Sequence, residues 1–162
     1  EPGHFVFPDQ FIDRTTKRNT TFFDGSNVQH VSMGEPFNVG LRNCLTEACE
    51  ELNFSYHKSG TVVTIEGPRF STKTESMLFR SWGCDIINMS TVPEICLARE
   101  LELKYQSIAM STDYDCWHES EEEVTMEMIF ATMEKNVRHV KKLIEYTIPL
   151  INKNISKDIN GN

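Results

Sequence analysis

Residues 61–94 have the sequence TVVTIEGPRFSTKTESMLFRSWGCDIINMSTVPE, and this stretch decides the predicted fold. The β-branched run Thr61–Ile65 predicts a strand, which a Gly-Pro turn ends. Next, Thr72 and Glu75 have the spacing of a capping box, which predicts that a helix begins there. The stretch therefore opens with a strand that is followed directly by a helix.

The second half of the stretch repeats this pattern. Gly83 closes the predicted helix, and the segment 85–89 predicts another short buried strand. Thr91 at the N-cap position, followed by a proline and Glu94, predicts the start of the next helix. Strands alternating with helices predict an α/β fold, in which a largely parallel or mixed sheet is flanked by helices. In such folds, ligands bind at the carboxyl ends of the strands.

The residues on either side of this stretch add two helices and one strand. Apolar residues at helical spacing predict a helix over 38–52, whereas the opening segment to Phe37 is predicted to be loop-like. The apolar segment 105–111 predicts a strand. A long helix follows and is predicted to end at Pro149. Its apolar stripe predicts core or subunit packing and consists of Ile129, Met133, Val137, Val140 and Ile144.

Length and composition describe one domain that covers residues 1–162. The net charge of -8 argues against nucleic acid or an anionic membrane as the main partner, because both need a basic surface. No run approaches the roughly 18 apolar residues that a membrane-spanning helix needs. The five cysteines include no Cys-x-x-Cys pair, which favours reduced thiols over disulfides or a metal site.

Three strand ends carry side chains that are suited to ligand binding. Phe70 follows the Gly-Pro turn and offers a rigid aromatic surface; the alternative is that it fills the core. Ser90 lies at the amino end of a helix, where backbone N–H groups attract anions; the alternative is ordinary capping. Asp113 and Asp115 can accept hydrogen bonds from an aminopurine edge; the alternative is that they form Asx turns. We expect these three strand ends to converge on one site.

Motifs at the same strand ends are similar to those of a known family. They are VTIEGPRFS at 63–71, INMSTVPE at 87–94 and STDYDCW at 111–117, and DQFIDRTT precedes them at 9–16. Together they resemble the purine nucleoside phosphorylase family, and within it the members that act on 5′-methylthioadenosine. The resemblance runs, in order, from about Pro8 to Pro149.

The resemblance implies a nucleoside phosphorylase-like fold and a pentosyltransferase activity. Such an enzyme uses phosphate to cleave S-methyl-5′-thioadenosine into adenine and 5-methylthioribose 1-phosphate, in purine and methionine salvage. Phosphate is then a co-substrate, no cofactor is implied, and the assembly is a homotrimer. A cytoplasmic location is expected, with the nucleus as a second compartment.

The motifs also imply roles for the residues at matching positions. Phe70 matches the residue that stacks on the purine, and Ser90 matches the hydroxyl that contacts phosphate. Asp113 and Asp115 match the acids that hold N7 and the 6-amino group of adenine. Further matches complete the nucleoside pocket: Met89 under the ribose, Ser71 and Met126 at positions that distinguish the methylthioadenosine enzymes, and His30 lent by a neighbouring subunit.

Asp113 is the implied catalytic residue. Oxopurine members have an amide here, which can donate to a carbonyl at C6, whereas a carboxylate accepts from the donors of an aminopurine. Phosphorolysis leaves negative charge on the departing purine, so a stabilised proton on N7 lowers the barrier. Whether Asp113 delivers that proton or only holds the N7–H group stays open at this point.

The match covers the carboxyl-terminal portion of the family, and we expect the amino-terminal half to be absent from residues 1–162. That half carries the family's glycine-rich phosphate loop and an Arg-His pair, so the isolated chain is expected to be inactive. Two alternatives stay open. One is a phosphorylase for another 6-amino- or 6-oxopurine nucleoside, and the other is a noncatalytic nucleoside-binding or oligomerising fragment.

Overall fold

The computed structural model describes residues 1–118 and 126–160, without the side chains at positions 126, 128, 129 and 155–160. Strands and helices alternate along this part of the chain, which confirms the predicted α/β class. In chain order the elements are β1 (Phe5–Val6), β2 (Gln10–Arg14), α1 (Val39–Leu52), β3 (Tyr56–His57), β4 (Thr61–Ile65), α2 (Lys73–Ser81), β5 (Ile86–Asn88), α3 (Thr91–Glu100), β6 (Ala109–Met110) and α4 (Met126–Asn160).

A parallel sheet in the order β2-β4-β5 positions the predicted site segments. Its central strand, β4, pairs in parallel with β2 on one side and with β5 on the other. Val62, Val63 and Thr64 are fully buried, because a central parallel strand is covered on both faces. Since β4 and β5 run in the same direction, the residues that follow them emerge side by side at one edge.

The prediction that the opening segment is loop-like is wrong at two places. Both β1 and β2 lie within it, and β2 is a five-residue edge strand of the parallel sheet. Its sequence QFIDR has only two apolar residues, Phe11 and Ile12, and the strand is half exposed. Its extended conformation therefore comes from pairing with β4, which a local periodicity pattern does not detect.

A second sheet has the order β3-β1-β6 and is mixed. β1 is parallel to β3 and antiparallel to β6, and Phe5 is paired with Met110. Only Ala109–Met110 of the predicted strand 105–111 is paired, because the start of that segment bonds elsewhere: Tyr105 O accepts from Asn38 N–H at 2.8 Å. The third strand end, which carries Asp113 and Asp115, therefore belongs to the second sheet and not to the parallel sheet of β4 and β5.

Helices α1 and α4 pack together over the second sheet. α1 begins at the N-cap residue Asn38, whose side-chain oxygen accepts from the backbone N–H of Leu41 at 2.9 Å. The buried core that joins the two helices to β1 contains Phe5, Phe7, Leu45, Ala48, Cys49 and Leu143. This core fixes the scaffold from which residues 112–118 extend.

Helix α4 departs from the prediction in two ways. It continues through Pro149 to Asn160, held by packing of Leu143 and by a bond from the Thr147 hydroxyl to Leu143 O at 2.6 Å. Its buried face is set one residue before the predicted stripe: Asn136, Leu143 and Thr147 are buried, whereas Met133, Val137 and Ile144 are exposed. One residue is about 100° around a helix, so packing selects a different face. Val140 packs against the core as predicted, and the side chain of Ile129 lies outside the described residues.

No helix in the described part is both long and apolar enough to cross a bilayer.

Candidate functional site

The segment between β4 and α2 is fixed by its own polar side chains. The predicted capping box is present: the Thr72 hydroxyl accepts from Glu75 N–H, and the Glu75 carboxylate accepts from Thr72 N–H. Arg69 forms a two-pronged ion pair with Glu75, at 2.7 and 2.8 Å. These contacts with Arg69 and with the Thr72 amide lower the pKa of Glu75 to about 2. The two residues between Arg69 and Thr72 are therefore held at a rigid corner.

Those two residues are Phe70 and Ser71, and they present different surfaces. The Phe70 side chain is 72% exposed, so the alternative that it fills the core is wrong. An exposed ring on a rigid corner can stack on a flat ligand. The Ser71 hydroxyl is buried and has no hydrogen-bond partner within the described residues, which leaves a donor and an acceptor for a ligand or a water molecule.

Met89 and Ser90 follow β5 and lie beside this corner. Gly67 has a φ of +67°, a backbone conformation that strains residues with a β-carbon, and a β-carbon there would also lie 2.6 Å from Met89 Sδ and require that side chain to move. Asn88 bridges the Thr64 hydroxyl at 2.9 Å and the Thr91 hydroxyl at 2.7 Å. Thr91 is buried by this contact, whereas Ser90 is exposed and its side chain makes no capping bond. The Ser90 hydroxyl is thus presented at the surface.

A half-buried cluster that no sequence motif indicated joins these segments, and it is here called the Arg18 cluster: Arg18, Glu66, Met89 and Val92. The Arg18 guanidinium donates to the backbone carbonyls of Met89 and Val92, and to that of Glu66 at 3.0 Å. The Glu66 carboxylate accepts from the amides of the residues before Arg18, Thr16 and Lys17, at 2.6 and 3.1 Å. These amides, with the nearby guanidinium, lower the pKa of Glu66.

The consequence of the Arg18 cluster is that the ends of β4 and β5 are joined to the loop after β2. Arg18 holds the connection between β5 and α3 at the carbonyls of Met89 and Val92. Met89 and Ser90, the residues predicted to contact the ribose and the phosphate, lie in this connection. The arginine is part of the DQFIDRTTKR stretch, and its contacts are with residues 48 to 74 positions away. Only the family-like motif at 9–16 marked this region in the sequence.

Residues 112–118, here called the acid loop, carry both predicted aspartates. Asp113 is exposed and accepts from the Thr112 hydroxyl at 2.6 Å through Oδ1. Asp115 is half-buried; its Oδ1 accepts from Cys116 N–H at 2.8 Å, and its Oδ2 accepts from the hydroxyl of Ser76. The two carboxylates therefore differ in their surroundings, one open to the surface and one bonded to α2.

The acid loop is held against α2 and the rigid corner by further contacts. The Cys116 thiol donates to Ser71 O at 3.6 Å, and burial together with nearby Asp115 raises the pKa of Cys116. The Arg80 guanidinium lies over the Trp117 ring, 3.9 Å from its centroid. Although β6 belongs to the second sheet, its loop therefore meets the residues after β4. The acid loop and the rigid corner that carries Phe70 are therefore in contact.

Two of the predicted residues are not joined to this cluster. His30 is exposed in the loop between β2 and α1, and no hydrogen bond, ion pair or ring contact links it to the other predicted residues in the described part of the chain. Met126 is the first residue of α4, and its side chain lies outside the described residues. Their roles stay predictions.

The predicted site residues include three side chains that are open to the surface. Phe70, Ser90 and Asp113 are all exposed. A cavity of about 240 Å³ lies between the ends of β2, β4 and α2, but of the predicted residues only Ser71 lines it. We place the candidate site at the exposed surface around the rigid corner, because the exposed ring of Phe70 is there and the acid loop contacts this corner.

Comparison with known proteins gives consistent matches. The model of the phosphorylase superfamily matches residues 1–149. S-methyl-5′-thioadenosine phosphorylase of Ciona intestinalis is 50% identical over 165 aligned residues, covering 98% of this chain and 59% of that protein. The enzyme of the same name from Aedes aegypti is 52% identical, covering 93% of this chain and 56% of that protein.

Solved structures also match, at lower identity. A variant of adenosine/methylthioadenosine phosphorylase from Schistosoma mansoni in complex with adenine has a TM-score of 0.88 and 38% identity, covering 94% of this chain and 61% of that one. Another variant in complex with methylthioadenosine has a TM-score of 0.85 and 37% identity, covering 93% of this chain and 59% of that one. The chain thus spans little more than half the length of the curated relatives it matches, 59% and 56% in the first two.

Proposed function

Because this chain belongs to the phosphorylase superfamily, we propose that it forms the base-recognising part of an S-methyl-5′-thioadenosine phosphorylase. The reaction is the phosphorolysis of methylthioadenosine to adenine and 5-methylthioribose 1-phosphate. The observation that carries the proposal is the acid loop, which is bonded to α2 and to the rigid corner that carries the exposed ring of Phe70. The similarity to relatives of this name at about half identity supports the choice of substrate.

Recognition of the base follows from hydrogen-bond polarity. An ionised carboxylate only accepts, so Asp113 and Asp115 favour a base that presents donors, as adenine does at a protonated N7 and at its 6-amino group. Hypoxanthine presents a carbonyl at the same edge and would oppose acceptor to acceptor. Phe70 stacks on the ring and fixes its plane.

The chemistry then needs charge stabilisation on both sides of the breaking bond. As the C–N bond lengthens, electrons move onto the purine, and Asp113 stabilises the N7–H group that neutralises this charge. Phosphate attacks the anomeric carbon of the oxocarbenium-like ribosyl group. Ser90 contacts that phosphate through its exposed hydroxyl, and Met89 lies under the ribose.

The remaining parts of the proposal concern the assembly. His30 from a neighbouring subunit and Met126 complete the pocket for the 5′ substituent, where a flexible, polarisable thioether suits a methylthio group. This arrangement requires an oligomer, and a homotrimer is the proposed form. Salvage of purine and of methionine in the cytoplasm or nucleus is the proposed setting.

Isothermal titration calorimetry of the chain with adenine and with hypoxanthine tests the base-recognising role. We expect adenine to bind at least about 10-fold more tightly, because one mispaired buried polar contact is worth on the order of that factor. Phosphate-dependent release of adenine from methylthioadenosine measures the activity itself, which is expected only from a longer chain that also contains the family's amino-terminal half. Equal affinities for the two bases would contradict the proposal.

A second candidate substrate is adenosine, because the Schistosoma mansoni relatives carry both adenosine and methylthioadenosine in their name. Both substrates present the same base and differ only at the 5′ position, so the acid loop does not distinguish them. A comparison of kcat/KM for the two nucleosides decides between them. A higher kcat/KM for adenosine would mean that the enzyme recognises the 5′-hydroxyl group rather than the 5′-methylthio group.

A further inference from the structure

The hydroxyl of Ser76 is the contact that fixes the orientation of Asp115. Ser76 lies in the second turn of α2 and is only 1% exposed. Its Oγ donates to Asp115 Oδ2, across a separation of 39 residues in the sequence. No motif in the sequence marked Ser76.

This bond is not the usual behaviour of a serine within a helix. A helical serine commonly donates back to a carbonyl of the preceding turn. Ser81, on the same helix, does so: its hydroxyl donates to Leu78 O at 2.7 Å. The Ser76 hydroxyl instead leaves the helix and bonds to a carboxylate of the acid loop, so the contact serves the loop rather than α2.

The bonds to Asp115 leave its remaining lone pairs in a defined direction. A carboxylate offers about four acceptor positions. One on Oδ2 is used by Ser76 and one on Oδ1 by Cys116 N–H at 2.8 Å. The plane of the carboxylate is then fixed at both oxygens, and the unused positions are available to donors of a ligand.

Two further contacts anchor the acid loop, although the Ser76 hydroxyl also lies within hydrogen-bonding reach of the Cys116 thiol. Cys116 contacts Ser71 O, and Trp117 lies against Arg80. Removal of the Ser76 hydroxyl therefore frees the rotation of one carboxylate while the loop keeps its position. This separation of roles makes the effect of Ser76 on a ligand measurable apart from its effect on folding.

We propose that Ser76 is a positioning residue that sets the preference for 6-aminopurines by holding the Asp115 carboxylate toward the 6-amino group. The inference rests on the proposed function. Since only a donor at C6 benefits from an oriented acceptor, Ser76 contributes to the binding of adenine and not to that of hypoxanthine. A purely structural role would change both affinities alike.

The test compares Ser76→Ala with Ser81→Ala, the same substitution on the same helix at a hydroxyl that bonds only within it. Calorimetric titration of the 162-residue chain with adenine and with hypoxanthine gives the ratio of the two Kd values. Ser76→Ala is expected to weaken adenine about 5-fold, the effect of one oriented hydrogen bond, and to leave hypoxanthine within about 2-fold. Ser81→Ala is expected to keep the ratio of the unaltered chain.

A double variant shows whether Ser76 acts through Asp115. In an Asp115→Asn background, adding Ser76→Ala is expected to change the ratio little, because the carboxylate that it orients is gone. If Ser76→Ala does not fold, Ser76→Cys takes its place, since a thiol is similar in size and a weaker donor.

The outcomes separate the inference from the proposed function. If the unaltered chain does not prefer adenine, the proposed function fails and the inference fails with it. If the chain prefers adenine but Ser76→Ala keeps the ratio, or lowers both affinities alike, the inference is overturned while the proposed function stands. An equal effect of Ser76→Ala with and without the Asp115 carboxylate also overturns it.

Discussion

The carboxylate of Asp113 has the opposite surroundings to that of Asp115. It is exposed and accepts a hydrogen bond from its neighbour Thr112, and in the described part of the chain no helix or strand fixes it. If Asp113 has the proposed role, its carboxylate must therefore be held in place by hydrogen bonds from the bound base. The proposed role and the alternative of a loop-forming aspartate make different forecasts for an amide at this position.

Asp113→Asn is expected to weaken adenine binding by about 10-fold, because a charge-assisted hydrogen bond to a ring N–H is replaced by a neutral one. Hypoxanthine affinity should stay equal or rise, since the amide can donate to a carbonyl. Titration calorimetry with both bases measures the change. Asp24→Asn, at another exposed loop aspartate, is the matched control. Unchanged adenine affinity would mean that Asp113 only shapes the loop, because Asn and Asp are alike in turns.

Arg18 is a residue whose importance lies in stability. Its guanidinium bonds three backbone carbonyls and its side chain is 18% exposed. Arg18→Met is expected to lower the free energy of unfolding by about 3 kcal/mol, because the carbonyls and the Glu66 carboxylate lose their partner. Urea denaturation measures this difference. Arg138→Met is the control: its side chain is 67% exposed in an ion pair with Glu134, so a change within about 0.5 kcal/mol is expected. A similar small change for Arg18→Met would show that water replaces its bonds.

At the scale of the element, α2 links the rigid corner to the acid loop, and its first turn is sensitive to acid. The pKa of Glu75 is lowered from 4.5 to about 2, first by Arg69 and then by the Thr72 amide. A folded-state pKa below the unfolded value contributes stability above pH 4.5, and this stability is lost as the pH falls toward 2.

The stability difference between the unaltered chain and Glu75→Gln is therefore expected to be largest near neutral pH and to shrink between pH 4.5 and 2. Urea midpoints across this range measure it. Glu47→Gln, on the exposed side of α1, provides the control for loss of a carboxylate on a helix. A difference that does not depend on pH would mean that the Arg69 pair contributes no net stability.

Within α4, Pro149 lacks the N–H that would bond to the carbonyl four residues earlier. Pro149→Ala is expected to raise the stability by about 1–2 kcal/mol, because alanine restores that bond and the gain exceeds the added entropy of the unfolded chain. Thermal unfolding followed by circular dichroism measures the shift. A lower melting temperature would indicate that the helix is bent at this proline in a way that packing requires.

The same elements explain what could be predicted from the sequence. The helix after Thr72 was predicted because its capping box lies within four contiguous residues, and the helix over 38–52 was predicted because its apolar residues keep helical spacing. The strand β2 was missed because its pairing partner lies in β4, and the buried face of α4 was misplaced because packing against α1 selects it.

The residues of the candidate site also fall into two groups, those that the sequence predicted and those that it did not. Phe70 and the two aspartates were found because they lie in contiguous motifs after apolar segments. Ser76 and Arg18 were not found, because their partners are 39 and 48 to 74 residues away and no local pattern encodes such bonds. Long-range hydrogen bonds of single polar side chains are therefore the part of the site that only the three-dimensional structure reveals.

For the whole molecule, ligand binding and folding are linked. A base that binds only the folded chain raises its stability by about 2.7 kcal/mol at 100 times its Kd. For a chain of this size we expect a rise of roughly 5–10 °C in Tm with adenine at that excess. Hypoxanthine at the same concentration should give a clearly smaller rise. Differential scanning fluorimetry measures both, and equal shifts would contradict base selectivity without reference to turnover.

The parallel pairing of β2 with β4 also sets the order in which the polypeptide can acquire its structure during synthesis. Gln10–Arg14 leaves the ribosome before Thr61–Ile65 and has no partner in this sheet until that strand has followed it. α1 and α2 are local and can form as soon as they emerge, whereas Arg18 must wait for residues 71 and 74 positions later. The surface that we assign to nucleoside binding is thus completed late, after the helices that border it.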